Sequence, residues 1–387
     1  MARDTPAAIL QKGTAELGNM RGLHRINSAP GAARLISVVV RTTEIDGIRG
    51  WAALSVLLFH VLVEMLGKLV PAFRIGWLSP FLDGYVDVCV FFVLSGDALS
   101  ASFFQSGKTS GLDRLALHRY FRLTIPISMA CLLVWLLMRT GLDHHSEAAV
   151  ALQRPDWLGT FLHVDPTLGS LIRFSLIGVY VHQVISTSYN PFLWTMPIEL
   201  VGSMLTFLVC YLWDRLRSPA LVVGTLAAYV FMLNSIYDLF LIGVLLGYAR
   251  KTGTLQQLRE NRLWQAMTIA VVLAAGFAVA RGYGEYGTRS SLLIAIALVV
   301  SFYTNGGLLV FFRSGISRLL GQLSFPIYLV QFPALISLMS WLVIRGTNFY
   351  ATAAITIAAT LLGAQVFLWI EKPLLRYSHN WIRSLLT

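Results

Sequence analysis

Arg49 and His60 stand eleven residues apart in the stretch EIDGIRGWAALSVLLFH, Glu44 to His60, and the run continues apolar through VLVEML with one more carboxylate, Glu64. At about 100° and 1.5 Å per helical residue, the arginine and histidine fall within about 20° of one another and about 16 Å apart along the axis. Asp46 lies about 40° to the other side of His60, and Glu64, four residues on, is its next-turn neighbour. One helix stripe therefore carries Asp46, Arg49, His60 and Glu64. Ionisable groups so placed in an apolar run usually face a cavity or one another, so the set reads as a functional site. The packing alternatives are a neutral His60 satisfied by a neighbouring helix and an Arg49 that anchors the span at the interface.

A second set is HRYFRLTIP, in which Arg119 and Arg122 stand three apart. Residues so spaced share a helix face, so two guanidiniums there can grip the phosphates of an anionic ligand. Taken by itself, the pair is explained more simply as positive charge that fixes topology. The third set is isolated polar residues within apolar blocks: Asp87 and Ser95 in VDVCVFFVLSG, Asp97 two beyond, Glu199 in LWTMPIEL, and Tyr328 and Gln331 in SFPIYLVQFP. A hydroxyl or amide among these can be a packing hydrogen bond of about 0.6 kcal/mol. Asp87 and Glu199 each need a proton or a cation, and Arg49 and His60 are the natural candidates. No P-loop, GxSxG or HExxH motif occurs, no metal site is expected, and RGYGEYG at 281–287 has the composition of a turn.

The elements that position these residues follow from composition. Of 387 residues 56% are apolar and 13% charged, with a mean hydropathy of +0.67, which is too little polar surface for a soluble chain of this length. Apolar blocks recur at about 48–66, 80–104, 123–140, 192–213, 219–234, 236–250, 264–281, 290–312, 319–344 and 349–370. They are continuous rather than alternating, which predicts an all-α polytopic membrane protein of about ten transmembrane helices and not a β-barrel. An ionisable group at membrane depth costs about 2.5 to 3.5 kcal/mol and usually faces a cavity or a partner, so the stripe on the first span reads as functional.

Sorting charge by alternate sides places 22 of the 30 Lys and Arg with the N-terminus and 8 opposite, so both termini are expected in the cytoplasm. Residues 1–43 read as a disordered basic cytoplasmic tail without a signal peptide, with Met20 an alternative start. Residues 44–377 form the membrane domain, with a long outer loop at about 141–191, and 378–387 a second cytoplasmic tail. The loop contains LDHHSE, RPDW and the semi-apolar SLIRFSLIGVYVHQVI, expected to be re-entrant or interfacial. The formal charge of +11 is scattered over short loops, which argues for topology rather than a nucleic-acid partner. Cys89, Cys131 and Cys210 sit in apolar blocks without metal or redox spacing and are expected to pack as free thiols.

In this order the clusters resemble the acyltransferase-3 family of integral membrane O-acyltransferases. The matching pieces are IDGIRG followed eleven residues after its arginine by His60, GYVDVCVFFVLSG, the pair Arg119 and Arg122, LWTMPIEL, SFPIYLVQFP and the closing IEKPLLR. They span residues 45 to 376. The chain departs from the family pattern at Asp97, where an apolar residue is common, and at Gln331, where a histidine is common. The resemblance implies a multi-pass enzyme of the plasma (inner) membrane that moves an acyl group, usually acetyl, from cytoplasmic acyl-CoA to a hydroxyl of a sugar-containing acceptor such as a surface polysaccharide, lipid-linked or secreted glycan. Under that resemblance Arg119 and Arg122 hold the donor phosphates near the inner face where Arg49 begins its stripe. His60 acts deeper, as general base or transient acyl carrier, with Glu64 or Asp87 orienting it. Asp46, Ser95, Glu199 and Tyr328 are further candidates, and no metal is needed because a thioester is already activated. The competing reading is a transporter or flippase of a glycan or anionic small molecule that uses the intramembrane charges.

Overall fold

The apolar blocks fold as helices. A computed structural model of the chain describes residues 43–75, 82–107, 109, 112–181 and 183–385, and no strand occurs among them. The N-terminal tail, with Met20, lies outside the described residues.

Helix α1 covers Thr43–Leu58 and continues without a break as a π-helical segment, Phe59–Leu66. Two acidic residues in its first turn, Glu44 and Asp46, suit the positive end of the helix dipole. Helix α2 is Gly84–Ser106, started by Asp83, whose carboxylate accepts from the backbone N–H groups of Tyr85 and Val86 at 3.0 and 2.9 Å. Then come α3, Leu112–Thr140; α4, Met196–Trp213, entered through the 3₁₀ turn Pro191–Thr195; α5, Pro219–Met232; α6, Asp238–Lys251; and α7, Arg262–Ala280. Helices α8, Arg289–Thr304, and α9, Gly306–Phe312, meet at 91° because Asn305 ends one and caps the next, accepting from the N–H of Leu308 at 3.1 Å. Helix α10 runs Gly315–Ile344 with a π-helical stretch at Leu335–Met339, and α11 runs Phe349–Leu385.

Among the described residues, seven helices are long and apolar enough to cross a bilayer, or eight if the bent pair α8 and α9 is one span. The shortfall against ten lies at α5 and α6. Each has only 14 residues, about 21 Å of helix against about 30 Å of hydrocarbon. The turn between them centres on Asn234, whose φ of 54° is left-handed.

Contacts sort the turns into two ends of the bundle. At the end where α1 begins, Glu44 meets Arg250 of α6 and Arg313 after α9, and Gln265 of α7 donates to the carbonyl of Thr304. At the opposite end Arg154 meets Glu64, Asn234 donates to the carbonyl of Gly287 at 2.6 Å, and Phe73 packs on Tyr350. Helices therefore alternate in direction throughout the bundle, α9 aside. Several close approaches admit only glycine, two of them at helix crossings that matter for the interior. A Cβ on Gly50 of α1 would lie 2.4 Å from the backbone nitrogen of Gly321 in α10, and one on Gly96 of α2 would lie 2.2 Å from the carbonyl oxygen of Phe240 in α6. These close approaches bring the polar side chains of α1 and α2 into the interior.

Candidate active site

Two clusters lie along α1, one near its start and one near its end. The first is a chain of buried polar groups. Arg49 donates to the hydroxyl of Ser95 on α2 at 2.9 Å, and Ser95 donates to Oε1 of Glu199 on α4 at 2.8 Å. The same carboxylate oxygen pairs with Arg119 of α3, whose Nε donates to the hydroxyl of Ser203 at 2.9 Å. Four helices thus meet through Arg49, Ser95, Glu199, Arg119 and Ser203. The arrangement balances two guanidiniums against one carboxylate, so it carries excess positive charge inside the bundle. Nε of Arg49 is buried without a hydrogen-bond partner, a donor left over for an anionic group.

The second cluster surrounds His60 in the π-helical turn. Its ring lies parallel to Phe192, with centroids 4.0 Å apart and planes at 6°. Trp157 stacks at 6.1 Å and Phe59 meets it edge-on at 5.5 Å. Phe161 and Phe332 close the box against Phe192. Nδ1 of His60 is buried with no hydrogen-bond partner.

The structure separates several residues that helical spacing groups together. The expected single stripe is broken because α1 changes to π-helical winding at Phe59. Wider turns rotate the residues beyond them, and such segments recur at functional sites. Glu64 does not face His60. Its carboxylate accepts from Arg154 at 2.9 Å, and its carbonyl also accepts from that guanidinium. Asp87 hydrogen-bonds Ser55, and its Oδ2 has no partner. No hydrogen bond or ion pair joins His60 to either carboxylate among the described residues, so aromatic faces, not an acid, hold the imidazole.

Arg119 and Arg122 likewise diverge. Arg119 turns inward to Glu199, whereas Arg122 is exposed and faces the charge of Glu371 on α11. A twin clamp on one helix face is therefore not what this packing gives, because the buried carboxylate of Glu199 draws one guanidinium in. Asp46 sits at the start of α1, its backbone packed against Gly321. Tyr328 donates to the carbonyl of Phe192 and shares a 2.7 Å hydrogen bond with Thr195, so it fixes the turn that carries the ring stacked on His60. Gln331 is fully buried and bonds the carbonyl of Tyr328 at 3.3 Å.

Sequence reasoning passed over Arg154, Trp157 and Phe192. Arg154 is buried, grips Glu64 and lies 5.2 Å from the ring centroid of Trp157, so it ties the long loop to the π-helical turn. The signal was the RPDW motif in a loop otherwise poor in charge, yet nothing in the sequence paired it with Glu64, 90 residues away. Asp97, by contrast, belongs to a separate group. It accepts from Arg250 at 2.5 Å and from the hydroxyl of Tyr303 at 2.6 Å, and Arg250 also holds Glu44. Among the described residues no three side chains converge as metal ligands, and the three cysteines are buried and free.

A family model described as an acyltransferase domain, the acyltransferase-3 family, matches residues 42–369. The chain is similar to the O-acetyltransferase PaAT-1 of Phomopsis amygdali, at 25% identity over 360 residues, covering 76% of this chain and 72% of that protein. No solved structure matches the chain.

Proposed function

The chain belongs to the acyltransferase-3 family and is an O-acyltransferase, and from that premise we propose that it moves an acetyl group from acetyl-CoA, bound from the cytoplasmic side, to a hydroxyl of a glycan-containing acceptor presented at the outer face of the inner membrane. The start of α1 is the cytoplasmic end in this reading, supported by the surplus of Lys and Arg on that side. The observation that carries the proposal is the placement of His60 on the helix whose other end holds Arg49. A half-buried imidazole with a free Nδ1, boxed by aromatic rings, lies toward one end of that helix, and a surplus of guanidinium charge lies toward the other.

Donor phosphates meet Arg122 and the neighbouring basic residues at the cytoplasmic end, and the thioester arm runs inward past Arg49 and Arg119. His60 takes the proton of the acceptor hydroxyl as the oxygen attacks the thioester carbon. The C–S bond then breaks, and the proton passes from the imidazole to the departing thiolate. No net proton is consumed, and the protein supplies positioning and one base. Arg154, Glu64, Trp157 and Tyr328 act as positioning residues for the box around the imidazole.

Purified protein given acetyl-CoA and glycan extracted from a membrane lacking the enzyme should release free thiol and add the mass of one acetyl group to the glycan. A transporter or flippase would do neither, and that result would overturn the reading.

A further inference from the structure

The proton-accepting end of α1 has a neighbour that the proposed reaction does not use. Tyr85, in the first turn of α2, Trp194, in the turn leading into α4, and Tyr286, in the RGYGEYG loop, converge with centroid separations of 4.6 Å (Tyr85 and Tyr286), 5.3 Å (Trp194 and Tyr286) and 6.3 Å (Tyr85 and Trp194). Tyr286 is 71% exposed, so the cluster is open on one side. Tyr and Trp at a membrane surface commonly form a belt of separate anchors. These three pack on one another, and the loop bearing Tyr286 is held in place: Asn234 donates to the carbonyl of Gly287 at 2.6 Å, and Ser291 to that of Glu285 at 2.7 Å. The sequence reading of RGYGEYG as a plain turn misses this fixed aromatic.

Two routes through the chain and its packing connect the cluster to His60. Trp194 comes two residues after Phe192, the ring stacked on the imidazole. Tyr85 adjoins Gly84, whose backbone packs so closely on Phe59 that a Cβ there would lie 2.7 Å from its ring, and Phe59 is the edge contact of His60. Acceptor atoms lie beside the platform. Asp83, Asp87 and Asp238 surround Cys89, one turn along α2 from Tyr85. Asp238 is 1% exposed and its carboxyl meets only backbone N–H groups at the start of α6, and Oδ2 of Asp87 has no hydrogen-bond partner among the described residues. Buried acceptors of this kind call for donors.

We infer that Tyr85, Trp194 and Tyr286 form the subsite that holds the ring face of the acceptor, a pyranose whose hydroxyls are hydrogen-bonded by the neighbouring carboxyl groups, the unpaired Oδ2 of Asp87 among them. The polarised axial C–H bonds of a sugar ring meet the negative face of an aromatic ring, and its hydroxyls supply donors to those carboxyls. A flat apolar ligand would leave that Oδ2 unpaired, and an acyclic polyol has no ring face to offer. This inference rests on the reading of the protein as a glycan O-acetyltransferase, but it is measured without turnover.

The test is saturation-transfer NMR on the full chain in nanodiscs. The probes are methyl β-D-glucopyranoside, methyl β-D-galactopyranoside and methyl α-D-mannopyranoside, with meso-erythritol as the acyclic control. Ring C–H protons of at least one pyranoside should saturate, and erythritol should not. The signal should be lost in Trp194→Ala and Tyr286→Ala and kept in Trp194→Phe, with acetyl-CoA binding by calorimetry unchanged in all three. Saturation of no pyranoside, equal saturation of erythritol, or signals that survive both alanine changes would overturn the inference. His60→Ala separates this from failure of the parent reading: the subsite predicts intact saturation in that variant, whatever becomes of transfer.

Discussion

Ser95 bridges Arg49 and Glu199 in the buried network through one small hydroxyl. Leaving a buried polar group without its partner costs about 1–3 kcal/mol. Ser95→Ala is therefore expected to lower kcat/KM by on the order of tenfold, measured with acetyl-CoA varied, and wild-type values would remove Ser95 from the account. The Arg119–Glu199 pair is more costly to split, because breaking a buried ion pair destabilises by about 3–5 kcal/mol while replacing both partners with apolar residues is often neutral. Glu199→Leu should lower the midpoint of thermal unfolding, and the double change Arg119→Leu with Glu199→Leu should recover most of it without recovering activity. At this scale the sequence was informative about residue type and poor about partners. Asp87, Ser95 and Glu199 stood out as polar groups in apolar surroundings, whose cost demands an explanation. Which group answers each one depends on helices far apart in the chain, and the pairing of Arg119 with Glu199 rather than with Arg122 emerges only from packing.

The π-helical turn Phe59–Leu66 is the element that decides what His60 and Glu64 face. Within that turn Glu64 is taken by Arg154 of the long loop rather than by His60. Deleting Val61 removes the extra residue of that turn and would rotate Glu64 by about 100°, off its arginine. Transfer should then be lost with acetyl-CoA binding retained. Arg154→Ala is the milder form of the same test. It frees Glu64 and removes the cation held 5.2 Å from Trp157, and should lower kcat while leaving the donor Kd unchanged; a change confined to donor affinity would contradict a positioning role at the imidazole. No periodicity in FHVLVEML announces π-helical winding, since the apolar residues fit α spacing as well. The long loop was equally opaque, because aromatic residues such as Trp157 and Phe192 read as ordinary packing until the ring they stack on is known.

The all-helical, multi-pass architecture was legible from the apolar blocks, which fold as helices, the block at 290–312 as two, because the cost of unpaired backbone in lipid leaves few alternatives. The count was less so. Composition cannot tell a 14-residue apolar helix from a full span, which is the ambiguity at α5 and α6. Orientation can be measured directly. The native cysteines Cys89, Cys131 and Cys210 are buried, so introduced ones dominate labelling. Tyr286→Cys should react with a membrane-impermeant maleimide in intact cells, and Arg376→Cys only after permeabilisation; the reverse pattern would invert the proposed direction of transfer. The claim on which the whole account turns is that His60 performs chemistry while the opposite end of α1 serves the donor. The most direct measurement pairs acetyl transfer with calorimetric binding of acetyl-CoA in His60→Ala. The account predicts that transfer is abolished while the donor still binds with wild-type affinity, and transfer that survives the loss of the imidazole would contradict it.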